Sequence, residues 1–214
     1  MKKFFLALAL AAFASVGSMF GATVQFNTNN TSLCTDGTGA CTNQFVIFGG
    51  GTLRLTYNPI TTGLLNADPI ASPTFGSLLL ECGDFTVNTA GAASNTSCAS
   101  QPLPSNLNLY LRFTQVLPEP GSGQINSSSI VGTIGGNSGS ATITWLTPST
   151  TINTTNFSIS YRVTNNPLNI VNPAGGGVTS IQGEVRDNMV PEPSTYAMLG
   201  SALLGLGLLR RRKA

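Results

Sequence analysis

The chain has 214 residues, ten Lys and Arg against eight Asp and Glu, and no histidine. Only 8% of it is charged while 41% is apolar, so solubility rests on Thr, Ser, Asn and Gly rather than on ionised groups. Lacking histidine, the chain excludes Ser-His-Asp and Cys-His catalysis and the usual zinc, iron and copper sites.

The N-terminus reads as an address. Lys2 and Lys3 give a positive n-region, residues 4–13 an apolar h-region, and residues 14–22 are rich in small side chains, the layout of a secretory signal peptide over residues 1–22. Three cuts fit the pattern. Ala12-Phe13-Ala14 is the best small-x-small triplet, Val16-Gly17-Ser18 is acceptable, and a cut after Ala22 puts bulky Phe20 three residues upstream. The apolar stretch is short for a permanent span, which needs about 20 residues.

Six of the ten cations lie in the two terminal segments, which leaves Arg54, Arg112, Arg162 and Arg186 in the body. Against them stand Asp36, Asp68, Glu81, Asp84, Glu119, Glu184 and Asp187, four cations to seven acids or a net −3. Nucleic acid, which needs a basic face, is not an expected partner. The body, residues 23–187, is long enough for one domain with a real core.

Along that body the apolar pattern has period two. Thr23–Phe26, Gln44–Phe48 and Leu53–Tyr57 are expected strands, followed by Phe75–Glu81, Asp84–Asn88 and Leu107–Thr114. Ile130–Ile134, Ala141–Trp145, Phe157–Thr164 and Val178–Arg186 complete the series, with clusters of Gly, Asn and Pro between them. Roughly ten short strands and no helical period predict an all-β single domain, an antiparallel β-sandwich or jelly-roll-like fold.

Four cysteines admit three pairings. Cys34 with Cys41 and Cys82 with Cys98 are expected, because each pair closes a short loop that would otherwise be mobile. For the fifteen residues between Cys82 and Cys98, closure is worth about 3 kcal/mol in the loop-entropy account.

The body is poor in catalytic groups. It has no lysine, and Gly49-Gly50-Gly51 and Gly175-Gly176-Gly177 lack the Lys-Ser/Thr that a phosphate loop requires. Glu81 with Asp84, and Glu184 with Asp187, are the carboxylate pairs available to a hydrolase; they read as solvated surface acids. Asp36-Gly37-Thr38-Gly39 lacks the alternating acids of a calcium loop and reads as a turn. No metal, no cofactor and no enzymatic activity are expected. Trp145, Tyr57 and Tyr161 fall on apolar faces, so Tyr110, beside Asn108, Arg112 and Thr114, is the candidate glycan contact if the body is a lectin-like module.

Pro-Glu-Pro occurs twice. Leu117-Pro118-Glu119-Pro120-Gly121 is followed by polar residues and reads as a surface loop stiffened by two prolines. Pro191-Glu192-Pro193 is followed instead by sixteen largely apolar residues, Ser194 to Leu209, and then by Arg210, Arg211, Arg212 and Lys213. As a helix the sixteen span about 24 Å, short of a hydrocarbon core about 30 Å thick. Such a segment suits a temporary anchor, and the basic cluster suits retention on the cytoplasmic side.

Tripeptide, apolar span and basic stop, in that order, resemble the PEP-CTERM signal of bacterial exosortase substrates. The resemblance implies that residues 188–214 are a sorting signal (motif, transmembrane helix and basic tail). It further implies an exosortase as partner, transient anchoring in the inner membrane, and delivery to the cell surface or an extracellular exopolysaccharide matrix such as that of a biofilm.

Overall fold

Leu107, Leu109, Leu111 and Phe113 are all buried while Asn108, Tyr110, Arg112 and Thr114 between them are half-exposed, the burial alternation that a period-two sequence imposes on a strand with one face in a core. The computed structural model describes residues 22–188, except 38, 68, 87–97 and 138, together with residues 200–202. Residues 22–188 form one compact unit. In chain order its strands are β1 (Ala22–Asn27), β2 (Ser32–Cys34), β3 (Phe45–Phe48), β4 (Leu53–Asn58), β5 (Leu65–Ala67), β6 (Ile70–Ala71), β7 (Thr74–Cys82), β8 (Gln101–Pro102), β9 (Asn108–Leu117), β10 (Gly121–Asn126), β11 (Val131–Ile134), β12 (Gly139–Ile143), β13 (Ser149–Asn153), β14 (Ser158–Val163), β15 (Leu168–Ile170) and β16 (Val178–Asp187). The fold is all-β, as expected.

Every strand pairing is antiparallel. The largest sheet runs β13-β14-β16-β7-β4-β3, with β6 also on β16. A second runs β10-β9-β1-β5, with β2 also on β9, and a third, four-stranded, runs β15-β12-β11-β8. Their apolar faces share one core.

Four rings join the two larger sheets. Phe26 of β1 and Phe113 of β9 come from one, Phe75 of β7 and Tyr161 of β14 from the other. Phe113 lies 4.8 Å from Phe75 edge-on and 4.8 Å from Tyr161 stacked; Phe26 lies 5.2 Å from Tyr161 and 5.7 Å from Phe75. These are the separations at which aromatic quadrupoles attract. Trp145 and Tyr57 are core residues too, 3% and 1% exposed. Trp145 follows β12 rather than lying in it, with its indole N–H donating to Asn165 O at 3.2 Å.

The structure departs from the expected elements in two directions. No strand covers 84–86: Asp84 accepts the Thr86 N–H at 3.0 Å in a local turn, and Phe85 folds back with its N–H on Gly51 O at 2.8 Å. The rest of the expected Asp84–Asn88 strand lies outside the described residues. Conversely, β2, β5, β6, β8, β10, β13 and β15 go beyond the expected set. β10 is apolar only at Ile125, and its glycines are there for approach. A Cβ on Gly121 would sit 2.3 Å from Ile152 Cγ2 of β13, which closes the space between the edges of the two sheets.

Among the described residues no helix is long and apolar enough to cross a membrane; residues 200–202 are helical, and the rest of the expected transmembrane segment lies outside the described residues, as does the leader up to residue 21.

Removing the central ring should be costly. Phe26→Ala is expected to lower the stability of the body by about 3–5 kcal/mol, read from urea unfolding.

Candidate functional site

The polar face of β9 carries Tyr110, and the structure covers much of that face with the loop that Cys34 and Cys41 close. Cys34 ends β2, its Cα 5.7 Å from that of Cys41, and the two are disulfide-bonded. Gly39 packs on the Tyr110 ring so closely that a Cβ there would be 2.7 Å from Cε1, and its φ of +71° is one that glycine adopts freely. The Tyr110 hydroxyl donates to Gly37 O at 3.2 Å. Arg112 completes the fastening. Its Nη1 donates to Asn30 O at 2.9 Å and to Ser32 Oγ at 2.8 Å, its Nε to Gln124 Oε1 at 2.9 Å, and its Nη2 to Gly39 O. Sugar stacking needs an open ring face, and this ring is engaged in holding a loop.

The second pair, Cys82 and Cys98, is also disulfide-bonded, with Cα atoms 5.8 Å apart. Cys82 ends β7 and Cys98 stands just ahead of β8, so the bond ties the largest sheet to the four-stranded one.

Each carboxylate that sequence offered to a hydrolase has a local partner. Glu81 Oε2 accepts from Arg54 Nη2 at 2.7 Å, and the Arg54 guanidinium lies 4.7 Å from the Phe85 ring centre. Asp84 is held below the usual carboxylate range by the Thr86 hydroxyl and then the Thr86 N–H. Glu184 faces Arg186 at 4.0 Å, and Asp187 Oδ2 accepts the Ala22 N–H at 2.8 Å. Among the described residues no three His, Cys, Asp or Glu side chains come together.

The internal Pro118-Glu119-Pro120 is the turn of the β9–β10 hairpin, and it is fastened at both levels. Glu119 O accepts from Gln115 Nε2 at 2.7 Å; Glu119 Oε2 accepts the Thr155 N–H at 3.1 Å, and Oε1 accepts from the Asn156 amide. The Asn156 side chain, with Thr154 next, holds the Glu119 carboxyl below its usual value of 4.5. Sequence reasoning missed this capture, and the only signal for it was the polar run 153–156 that forms the β13–β14 turn.

At the other end of the chain β16 stops at Asp187, and Asn188 is still held, its N–H donating to Ser158 O at 2.9 Å. Residue 188 thus belongs with the body, although the sequence placed it in the sorting segment. Two residues, Met189 and Val190, stand between Asn188 and Pro191 in the sequence.

Residues 190–213 match the family model PEP_exosort_dom, the PEP-CTERM protein-sorting motif. The chain carries a PEP-CTERM sorting signal. The motif implies an exported protein, an exosortase as its processing partner, and transient anchoring in a membrane before processing. No curated protein and no solved structure matches the chain. Of the PEP-CTERM signal itself, Pro191, Glu192 and Pro193, and the stop Arg210, Arg211, Arg212 and Lys213, lie outside the described residues.

Arg112→Lys leaves one point charge where a planar fork served four acceptors. It should lower stability by about 1–2 kcal/mol and speed amide exchange at residues 35–41, measured by hydrogen-exchange mass spectrometry. A carboxylate whose pKa is depressed by folding contributes stability above its unfolded pKa and loses it as pH falls through the folded one. The gap in urea midpoint between wild type and Glu119→Gln is therefore expected to be full above the ordinary glutamate range and to shrink as the pH falls through and below it.

Proposed function

We propose that this chain is a non-enzymatic exported protein whose β-sandwich body, residues 22–188, is cargo for an exosortase. An N-terminal leader directs it out of the cytoplasm, and the C-terminal sorting segment holds it in the inner membrane until it is cut at or near Pro191-Glu192-Pro193. The body is then placed at the cell surface or in an extracellular polysaccharide matrix.

The observation that carries this reading is the motif match at residues 190–213, at the end opposite a leader-like N-terminus. Two further facts support it. All four cysteines are paired, which suits an oxidising compartment. Asn188, the last described residue of the body, stands three positions before the tripeptide, so a cut at the tripeptide falls outside β16. The low charge, with neither lysine nor histidine in the body, supports a structural rather than a catalytic role. An exopolysaccharide would meet a surface of hydroxyls and amides, suited to many weak hydrogen bonds.

Replacing Pro191, Glu192 and Pro193 with alanine in the full chain tests the sorting step. The variant is expected to keep its tail and stay in the membrane fraction of an exosortase-containing host, while wild type is released. Intact masses showing the same truncated product for both would overturn the role given to the tripeptide.

A further inference from the structure

Ala22 is the last residue of the expected leader and, in the structure, the first residue of the fold. It opens β1 opposite Ala67 and is 8% exposed. Its N–H donates to Asp187 Oδ2 at 2.8 Å, across 165 residues of sequence. Asp187 is itself fixed as the last residue of β16, its own N–H donating to Pro69 O at 3.1 Å. The first and last strands of the body are therefore clasped at the point where the chain enters and leaves.

We propose that the mature chain retains Ala22, and that the N-terminal cut falls after Ala14 or Ser18 rather than after Ala22. The proposal rests on the reading of residues 1–22 as an export leader. The step is the hydrolysis of one amide bond. Water adds across Ala14–Ser15 or Ser18–Met19, leaving a carboxylate on the leader and an ammonium group on the mature chain.

A cut after Ala22 is disfavoured by register. It would take away the donor to Asp187, the pairing with Ala67 and the buried methyl group together. Thr23 cannot step into the place, because it is exposed and pairs with Asn66; moving it by one position would turn Val24, wholly buried, and Phe26 to the outside. A cut upstream costs none of these contacts.

The body's first and last strands meet at the Ala22–Asp187 clasp, so a cut on either side of residues 22–188 removes no residue of β1 or β16.

The test uses the full chain, expressed in bacteria with and without an exosortase, with intact mass and terminal peptides read on the exported protein. A first residue at Ser15 or Met19 is expected in both hosts. A first residue at Thr23 or beyond, or an exported chain still starting at Met1, overturns the proposal. The C-terminal peptide reports on sorting separately: a retained tail on a chain beginning at Met19 in the exosortase-containing host would sink the exosortase reading and leave this one standing. For the clasp itself, Asp187→Ala should speed amide exchange at residues 22–24 by about tenfold. Asp187→Asn, which keeps an acceptor, should recover part of the protection. Unchanged exchange in the alanine variant would overturn the role given to Asp187.

Discussion

The contact on which the fold depends is the cluster of Phe26, Phe75, Phe113 and Tyr161. Two rings come from each of the larger sheets, and all four are 1% exposed or less. The body has few charges to work with, and the closest ion pair among the described residues is Arg54–Glu81, half-buried on one sheet. Ion pairs at protein surfaces are worth about 0–1 kcal/mol and half-buried ones also lose hydration, whereas burying one large apolar side chain is worth about 1.5–3 kcal/mol. Apolar contact between sheets therefore outweighs ionic contact along them.

Burying tyrosine in such a core carries an obligation, since a hydroxyl left without a partner costs about 1–3 kcal/mol. Tyr161 meets it by donating to Gln115 Oε1 at 2.8 Å, and that explains a glutamine only 1% exposed. Gln115 in turn donates to Glu119 O, so the core reaches the β9–β10 turn through one polar chain. Tyr57 donates to Phe75 O at 2.5 Å beside Thr28, and burial pushes its phenol up to about 12. Because the Tyr57 and Tyr161 hydroxyls are each placed by particular neighbours, the packing of the two larger sheets favours one register. The disulfides act at the periphery of this arrangement, one holding the loop over β9 and one strapping the largest sheet to the smallest.

What was legible in the sequence follows from period two. Strands β4, β7, β9, β14 and β16 alternate over at least six residues, and each was expected near its observed bounds. The cysteine pairs were legible because short loops limit the choice. Strands such as β10 were not, because Gly121-Ser122-Gly123-Gln124 has no apolar alternation. It is a strand because β9 supplies its hydrogen bonds and its missing side chains admit Ile152. Asp84–Asn88 failed for the opposite reason. Asp84, Phe85 and Thr86 alternate convincingly, but a side-chain acceptor at Asp84 offers the Thr86 N–H a closer partner than a sheet does. For Tyr110 the sequence showed the polar face of a strand and could not show that the Cys34–Cys41 loop lies over it. The sorting signal was legible because it is read as linear sequence.

The two Pro-Glu-Pro tripeptides make that last point physical. At Glu119 the carboxylate is bound by Thr155 and Asn156, the carbonyl by Gln115, and the next residue but one starts a strand. An enzyme acting there would have to separate β10 from β9 before reaching the backbone. At Glu192 the tripeptide comes after β16 in the sequence and is followed by an apolar run and four basic residues. The family match begins at 190 and runs to 213, so it spans these parts together and does not include residues 118–120. A tripeptide alone is a common turn sequence, with prolines that suit a hairpin as well as they suit a tether. Its meaning as an address comes from the membrane-compatible segment that follows and from the basic cluster that closes it.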